Sequence, residues 1–333
     1  MPVVNPPTMR AIVQAGYGAP ERVLRLEEIP VPPVGADDVL IRMRATSVNT
    51  PDWATVTGVP YILRLSSGLR RPRRPVRGSD IAGVVEAVGQ GVTGLAPGDD
   101  VLGSTRARAG TFAQYVVAPA AQLIRKPAGL TFTDAAASVM TGLAALVAMR
   151  DVAQVGDGTR VLINGASGGV GTMAVQIAKV LGAEVTGVCG TRNAELVRSL
   201  GADHVIDYTK EDFTQSRQRF DVILDNVLNH PPKATARVLA PHGVLIPNSL
   251  GSTGGLLAGL PRTARAVLMG FGSTNVRLVT PAVNHENLDA LRRLLETGEV
   301  RVVIGKTYPL DQAASAVTHM LDHHASGKIA ITA

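Results

Sequence analysis

Cysteine and aromatic residues are scarce in this sequence of 333 residues. Its single cysteine, Cys189, cannot form a disulfide within the chain, which excludes a disulfide-stabilised secreted fold and fits a reducing compartment. The first residues, Met1–Pro7, lack the basic and then apolar layout of a secretory signal. We therefore expect a cytoplasmic protein, and the length predicts two domains, each with its own core.

The sequence also lacks a hydrophobic run of membrane-spanning length. The longest run, Ala135–Met149, contains Thr141 and Gly142 and is shorter than the roughly 20 apolar residues that a spanning helix needs. It predicts a buried helix, and no membrane partner is expected.

Acidic residues do not balance the basic ones. The formal net charge is +6, and part of the excess lies in Arg70–Arg77. Such a stretch could attract nucleic acid or an anionic substrate. Because aromatic residues, only 3% of the chain, are not interleaved there to stack bases, a solvated loop is the favoured interpretation. Nucleic acid is therefore not an expected partner.

The stretch Val161–Gly171 has the pattern of a nucleotide-binding turn. An apolar run, Val161–Ile163, ends in small residues, after which apolar residues recur at helical spacing. The turn reads Ala-x-Gly-x-x-Gly, where the middle position lets the backbone approach a diphosphate and the last lets the helix pack on the strand. The residues predicted to bind the diphosphate are Ala166, Ser167, Gly168, Gly169, Val170 and Gly171.

The order of elements predicts an α/β protein of two domains. Short strands separated by turn residues run from Met9 to about Leu123 and indicate a small β-barrel. From Thr133 onward strands and helices alternate, which predicts a doubly wound parallel sheet. The elements beyond Asn284 are expected to fold back onto the first domain. We predict a barrel domain at residues 1–123, completed by 282–333, and a cofactor domain at 124–281.

Several motifs, in this order, resemble the medium-chain dehydrogenase/reductase superfamily. They are Gly78–Gly89 and Gly98–Val101, the glycine turn, and the ending Gly327–Ile331. Within the superfamily the chain is similar to the zinc-independent quinone oxidoreductase (zeta-crystallin-like) branch. The resemblance implies a GroES-like barrel joined to a Rossmann domain, an active site in the cleft between them, and a homodimer.

The zinc-ligand positions of the superfamily are altered here. Asn49 stands where zinc-dependent members have a cysteine, and Gly78–Asp80 replaces their Gly-His-Glu motif. The third position, near Ala137, holds neither cysteine nor histidine. Because a catalytic zinc takes three protein ligands, no metal is expected. His319 and His323, one helical turn apart, are interpreted as an exposed helix face.

The end of the second strand of the cofactor domain favours NADPH. An NAD site places a carboxylate about 20 residues after the glycine turn, whereas residues 189–193 contain no acid. Thr191 and Arg192 instead offer a hydroxyl and a cation, which suit a 2′-phosphate. By resemblance Tyr208 also approaches that phosphate, but a lysine of some quinone oxidoreductases corresponds to Ala194. A solvated Arg192 is the alternative.

Without a metal to support an alkoxide, a conjugated acceptor is the expected substrate. A quinone or an α,β-unsaturated carbonyl (enone) spreads the charge that hydride transfer brings. Asn49 is predicted to bind the substrate, the ribose or the nicotinamide, Asp52 to orient it, and Trp53 to form an apolar wall. Plain turn chemistry explains Asn49 and Asp52 equally well. Two apolar segments, Val59–Gly68 and Gly251–Phe271, are candidates for shaping the substrate site.

Four further residues are predicted to contact the cofactor. Thr141 resembles a threonine near the nicotinamide, and Lys328 corresponds to the lysine of a family Gly-Lys pair. Helix packing and a surface position are their respective alternatives. Asn226 and Ser249 follow the fourth and fifth strands of the parallel sheet, at the carboxyl edge where ligands bind.

Two other functions fit parts of the sequence. Gly165–Gly169 matches a hydrolase nucleophile elbow around Ser167, and Asp225 and His319 follow in the order of a triad. The β-rich upstream half and the otherwise unused Gly171 oppose this esterase interpretation. A protein that binds the cofactor without turnover is the other alternative.

Overall fold

The chain forms two compact units. The computed structural model describes residues 7–105, 110–249, 260–271, 274–321 and 326–333. The first unit comprises the chain up to Leu143 together with Ala282–Thr297 and Ile304–Ala333, and the second comprises Ala144–Pro281 with Gly298–Val303. The first unit therefore extends beyond residue 123, the boundary that the sequence predicts.

Strands and helices of the described residues are numbered in chain order. The strands are β1 Thr8–Gln14, β2 Leu24–Pro30, β3 Asp38–Ser47, β4 Asp80–Val88, β5 Asp100–Ser104, β6 Tyr115–Pro119, β7 Leu123–Arg125, β8 Arg160–Asn164, β9 Glu184–Cys189, β10 His204–Asp207, β11 Phe220–Asp225, β12 Leu239–Pro247, β13 Asn275–Val276, β14 Ile304–Pro309 and β15 Lys328–Thr332. The helices are α1 Pro20–Val23, α2 Thr50–Thr57, α3 Leu63–Ser67, α4 Phe132–Leu146, α5 Gly169–Val180, α6 Ala194–Ser199, α7 Pro232–Ala236, α8 Leu260–Met269, α9 His285–Glu296 and α10 Ala313–Leu321.

A mostly antiparallel sheet forms the first unit. Its strand order is β14-β15-β3-β4-β5-β7, and β6 also pairs with β3. Branched apolar side chains that point to one side of these strands form its core, as the alternating pattern predicts. The core residues are Val39, Ile41, Met43, Ile81, Val85, Val101, Val116, Ala118 and Leu123. The helices between β1 and β7 are short, as expected.

A six-stranded parallel sheet forms the second unit. The strand order is β10-β9-β8-β11-β12-β13. The first of these strands in the chain, β8, is central, and the later strands lie progressively further out on either side of it. This is the Rossmann order, and it confirms the doubly wound sheet. Val161–Ile163 of β8 are fully buried because both faces of a parallel sheet are covered.

The helix at the unit boundary is longer than the sequence suggested. α4 continues as a π-helix, Val147–Val152, so the helical segment Phe132–Val152 has 21 residues and contains an 18-residue window with a mean hydropathy of 1.5. The apolar run Ala135–Met149 is itself shorter than a span, whereas the helix that contains it is long and apolar enough to cross a membrane. Since 78% of its apolar window is buried, it is a core helix, as predicted.

Two elements at the end of the parallel sheet differ from prediction. The sequence pattern predicts a helix over Pro232–Leu239, but α7 ends at Ala236, since Leu239 starts β12 and lies opposite Phe220 of β11. The pattern also predicts a strand over Val276–Pro281, whereas β13 ends at Val276. Sheet pairing, rather than local periodicity, sets both boundaries.

Candidate functional site

A group of buried polar side chains in the first unit lies where β3 ends and where β4 and β15 begin. The register of β3 with β4 places Ala45 opposite Ala82, and β15 pairs antiparallel with β3 on its other edge. The first residues of β4 and β15, Asp80 and Lys328, therefore lie beside the loop that follows Ser47, the last residue of β3. A carboxylate and an ammonium group meet at this loop.

Asn49 of that loop links the two charged groups. Its Nδ2 donates to Asp80 Oδ2 at 2.7 Å, and its Oδ1 accepts from Lys328 Nζ at 2.7 Å. Since a carboxylate only accepts and an ammonium only donates, these partners fix which way the amide points. Lys328 Nζ also donates to Val48 O at 2.8 Å and lies 4.0 Å from Asp80 Oδ2, which accepts from Ser47 Oγ. Among the described residues, no acceptor contacts the second amide hydrogen of Asn49.

Burial governs the ionisation of this cluster. Asp80 is fully buried, and Lys328 and Asn49 are 5% and 6% exposed. Removal from water raises the pKa of Asp80, against the opposing effect of Lys328 and of the hydrogen bonds from Ser47 and Asn49. Burial also lowers the pKa of Lys328, which Asp80 and Asp52 oppose. Burial thus favours the neutral forms of both groups, while their mutual attraction and the hydrogen bonds to Asp80 favour the charged ones.

Asp52 lies in the first turn of α2 and binds two backbone amides. Its Oδ2 accepts from Asn49 N at 2.8 Å, and its Oδ1 from Gly78 N at 3.1 Å. Burial raises the pKa of Asp52 to about 6, although the Asn49 amide lowers it, and Asp80 adds to the rise. This geometry suits the orienting role predicted for Asp52. Trp53, predicted as an apolar wall, is 4% exposed and belongs to the buried core of the unit.

The glycine turn of the second unit leaves the amino end of α5 open. β8 ends at Asn164, Gly165 takes a φ of +77°, and α5 starts at Gly169 with no side chain capping it. Because the first amides of a helix have no partner within it, they can bind an anion. The predicted strand, turn and helix are present at the predicted residues.

Gly168 and Gly171 have different reasons to be glycine. A Cβ on Gly171 would lie 2.1 Å from Gly165 O and 2.7 Å from Ala166 Cα, so a side chain there would push α5 away from β8. A Cβ on Gly168 would meet only Gly165 O, at 3.4 Å, and its φ of −80° suits any residue. Protein packing does not require glycine at 168, whereas close approach of a diphosphate does. The turn therefore fits a dinucleotide.

Predicted cofactor residues at the ends of β9 and β10 lie together with an unpredicted acid. Thr191 Oγ1 donates to Asp207 Oδ2 at 2.6 Å, and hydrogen bonds, first that from Thr191, lower the pKa of Asp207 to about 2. Tyr208 is 61% exposed, and a Cβ on Gly190 would lie 3.0 Å from its Oη. Arg192 is exposed and has no hydrogen-bond or ion-pair partner in the described part of the chain. The acid at this edge comes from β10, not from the segment after β9.

An amide network occupies the ends of β8, β11 and β12. Asn226 Nδ2 donates to Asn164 O at 3.2 Å, and its Oδ1 accepts from Asn248 Nδ2 at 2.7 Å. Asn164 Nδ2 donates to Asp225 Oδ1 at 2.8 Å, while Asp225 Oδ2 is buried without a partner among the described residues. Ser249 follows β12 at the same carboxyl edge. Both polar ends of the Asn226 side chain are therefore engaged within the protein.

The side chains that an esterase would use form other hydrogen bonds. Ser167 Oγ accepts from Asn193 Nδ2 at 3.2 Å, and His319 Nδ1 lies 3.2 Å from a tyrosine hydroxyl, so neither takes part in a Ser-His-Asp relay. Thr141 Oγ1 donates to a carbonyl oxygen of its own helix at 2.9 Å, as the helix-packing alternative requires. His323 and residues 251–259, the first part of the Gly251–Phe271 segment predicted to shape the substrate site, lie outside the described residues. Within the described ranges, no three His, Cys, Asp or Glu side chains are grouped as metal ligands.

Comparisons with known proteins agree with this architecture. Two family models match, an alcohol dehydrogenase GroES-like domain over residues 35–128 and a zinc-binding dehydrogenase over residues 200–331. The chain is 32% identical to the chloroplastic quinone oxidoreductase of Triphysaria versicolor, over 97% of this chain and 98% of that protein. It belongs to the quinone oxidoreductase branch of the medium-chain dehydrogenase/reductase superfamily.

Other relatives place this quinone oxidoreductase family member among oxidoreductases. The mitochondrial NAD(P)H oxidoreductase of Mus musculus is 33% identical, over 97% of this chain and 89% of that protein. The solved structure of the quinone oxidoreductase from Coxiella burnetii superposes with a TM-score of 0.85 at 26% identity, covering 98% of this chain and 99% of that one. The predicted family and fold class are confirmed, and the chain is an oxidoreductase of this superfamily.

Sequence analysis missed the acids that organise these sites. From sequence, Asp80 is only part of the segment that replaces Gly-His-Glu, and its contacts with Ser47 and Asn49 follow from the antiparallel pairing of β3 and β4. Asp207 had a local signal, because it directly precedes Tyr208, which is predicted to approach the cofactor. Asn164 likewise ends β8 directly before the glycine turn, and polar residues at the carboxyl ends of parallel strands meet at one edge.

Proposed function

We propose that this protein reduces quinones or enones with NADPH and without zinc. The observation that carries the proposal is the buried ammonium of Lys328, bound to Asn49 and close to Asp80. By resemblance, Asn49 takes the position of a zinc-binding cysteine, and Asp80 belongs to the segment that replaces Gly-His-Glu. The Lys328 ammonium places a positive charge beside Asn49 Oδ1 and Asp80 Oδ2.

The donor chemistry of this cluster supports a zinc-free site. Zinc in proteins prefers thiolate and imidazole ligands, with three from the protein at a catalytic centre. The side chains gathered here are an amide, a hydroxyl, one carboxylate and an ammonium group. An ammonium 2.7 Å from Asn49 Oδ1 repels a metal ion that would use the same oxygen.

Residues of the second unit support NADPH as the cofactor. The open amino end of α5 and the unfilled space beside Gly168 fit the diphosphate. Arg192, exposed and unpaired among the described residues, suits the 2′-phosphate, and Tyr208 lies at the same edge. The mouse relative is named as an NAD(P)H oxidoreductase, which supports a nicotinamide cofactor.

The chain's own residues would position and polarise the acceptor. The second amide hydrogen of Asn49 would bind the acceptor's carbonyl oxygen. Lys328, bonded to Asn49 Oδ1, would polarise the amide and strengthen this donor. When bound, NADPH would supply the hydride. One neutral donor suffices where charge is spread over a conjugated system, whereas the alkoxide of a saturated ketone needs stronger support. Solvent would provide the proton.

Steady-state NADPH oxidation with a quinone, an enone and a saturated ketone tests the proposal. We expect turnover of the first two before and after dialysis against a chelator, and none of the ketone. Loss of turnover that only zinc restores would refute the zinc-free chemistry. NADPH binding without turnover of any acceptor would favour a cofactor-binding protein.

A separate substitution tests the preference for NADPH over NADH. Arg192→Ala should raise KM for NADPH at least about tenfold, since a charged hydrogen bond is worth about 1.5 to 3 kcal/mol, and leave KM for NADH unchanged. Arg217→Ala, exposed on the same unit, is the matched control and should change neither. A cytoplasmic location and a homodimer remain predictions.

A further inference from the structure

The entire formal excess of positive charge lies in one segment of the first unit. Residues 53–79 hold six of the 33 Lys and Arg and none of the 27 Asp and Glu, so the rest of the chain has 27 of each. Two of the six are turned inward: Arg64 stacks on the rings of Tyr17 and Tyr61 at 4.4 and 4.1 Å, and Arg77 Nε is buried. The other four are exposed, namely Arg70, Arg71, Arg73 and Arg74.

Aliphatic side chains are exposed in the same segment. Ile62, Leu65 and Leu69 are 58%, 68% and 68% exposed. Ile62 lies at the start of α3 and Leu65 within it, three residues apart and therefore neighbours on its surface, and Leu69 directly follows Gly68, which ends the helix. Grouped apolar side chains on a surface mark an interaction site, whereas single ones need no explanation.

The basic loop is folded tightly onto α3. Tyr17 Oη donates to Gly68 O at 2.6 Å, and Arg73 N donates to Ser67 O at 2.8 Å. Gly68 takes a φ of +123°, and a Cβ there would lie 2.2 Å from Arg71 O. These contacts hold the arginines close to the aliphatic residues. We call Ile62, Leu65, Leu69, Arg70, Arg71, Arg73 and Arg74 the basic apolar surface.

We propose that the basic apolar surface binds the anionic face of a lipid bilayer. Guanidinium groups form bidentate hydrogen bonds with phosphate headgroups, and neighbouring aliphatic side chains insert at the boundary between the headgroups and the acyl chains. The proposal revises the expectation of no membrane partner, and it gives Ile62 and Leu65 a role different from the substrate shaping predicted for Val59–Gly68. Binding would be peripheral, because the inserted element is one short helix.

Other occupants match the surface less well. A second copy related by two-fold symmetry would place arginines against arginines, which repel each other. Single-stranded nucleic acid binds through stacked aromatic rings, yet the aromatic residue of this segment nearest the arginines, Tyr61, already stacks on Arg64. Nucleic acid would also leave three aliphatic side chains in water. A bilayer uses both the charge and the apolar groups.

Co-sedimentation of the full chain with vesicles tests the proposal. Binding is expected to vesicles of phosphatidylcholine and phosphatidylglycerol in equal parts, and not to phosphatidylcholine alone. Replacing the four exposed arginines by glutamine should weaken the partition coefficient by roughly fivefold per arginine, the equivalent of about 1 kcal/mol each. The matched control removes four exposed charges from the second unit, in R217Q/R219Q/K233Q/R237Q, and should bind like wild type.

Two further measurements separate charge from insertion and from other partners. Leu65→Ser with Leu69→Ser keeps every charge and should still weaken binding, while thermal unfolding shows that each variant is folded. Equal binding to both vesicle types, or wild-type binding by the arginine variant, overturns the proposal. So does an arginine-dependent complex with single-stranded oligonucleotide in place of vesicles, or a change in oligomeric state as the effect of the arginine variant.

Discussion

At the scale of single residues, the buried cluster around Asn49 is defined by charge balance. Removing one partner of a buried ion pair leaves the other uncompensated, which is more costly than never having buried the pair. Lys328 and Asp80 form such a pair. The Asn49 side chain uses its oxygen and one of its two amide hydrogens in hydrogen bonds to them. The cluster therefore has little freedom to rearrange, which keeps the free hydrogen of Asn49 aimed in one direction.

Asp52 should make stability depend on pH. Its pKa rises from 3.8 in the unfolded chain to about 6 on folding, so the fold favours the neutral acid. The contribution of Asp52 to stability is therefore largest below pH 3.8 and declines as pH rises to about 6, by up to about 3 kcal/mol. In urea denaturation, the free energy of unfolding of Asp52→Asn relative to wild type should increase across this window.

Asp203→Asn is a control for which the pH dependence of stability should have the opposite sign. Burial opposes the change, but hydrogen bonds from Lys179 and Val185 lower the pKa of Asp203 on folding. Wild type therefore gains stability relative to this variant as pH rises towards 3.8. A pH-independent difference for Asp52→Asn would show that the Asp52 carboxylate is not held away from water.

At the scale of elements, the strand, turn and helix formed by β8 and α5 could be predicted from sequence because their determinants are local. Gly168 and Gly171 act within a few residues of each other. The Asn49 to Lys328 contact joins residues 279 positions apart, and only the pairing of β3 with β15 creates it. The sequence therefore predicts a site role for each of these residues, for Lys328 only by family resemblance, but not the contact between them.

The two glycines of this element should respond differently to alanine. Gly168→Ala should fold normally and weaken NADPH binding, because its methyl group would meet only Gly165 O, at 3.4 Å, and would occupy space that the diphosphate needs. Gly171→Ala should lower the midpoint of thermal unfolding with or without nucleotide, because its methyl group meets backbone at 2.1 Å. Isothermal titration and thermal denaturation measure the two effects. Normal nucleotide affinity in folded Gly168→Ala would contradict the assignment of this turn to the diphosphate.

At the scale of the whole molecule, two features bear on membranes in opposite ways. Phe132–Val152 is long and apolar enough to span a bilayer, yet most of it is buried in the fold. The basic apolar surface is small, yet it is exposed. Composition alone could not tell these apart, because the sequence shows the length of an apolar run and not what covers it. Exposure assigns membrane contact to the surface and structural support to the helix.

This difference predicts how the protein leaves a membrane. Wild type bound to anionic vesicles should be released by high salt, because screening removes the attraction of the arginines, and by alkaline carbonate. Sedimentation of the vesicles after each wash measures the released fraction. Retention after both washes would mean that the long apolar helix inserts, contrary to its place in the core.

The lone sulfur nucleophile has a consequence for an enzyme of this proposed chemistry. Quinones and enones alkylate thiolates by conjugate addition, and only the ionised sulfur reacts readily. Cys189 is 2% exposed, and burial raises the pKa of its thiol. With no other cysteine in the chain, such electrophiles meet no reactive sulfur on the catalyst. The protein is thereby spared covalent self-inactivation by the compounds it is proposed to consume.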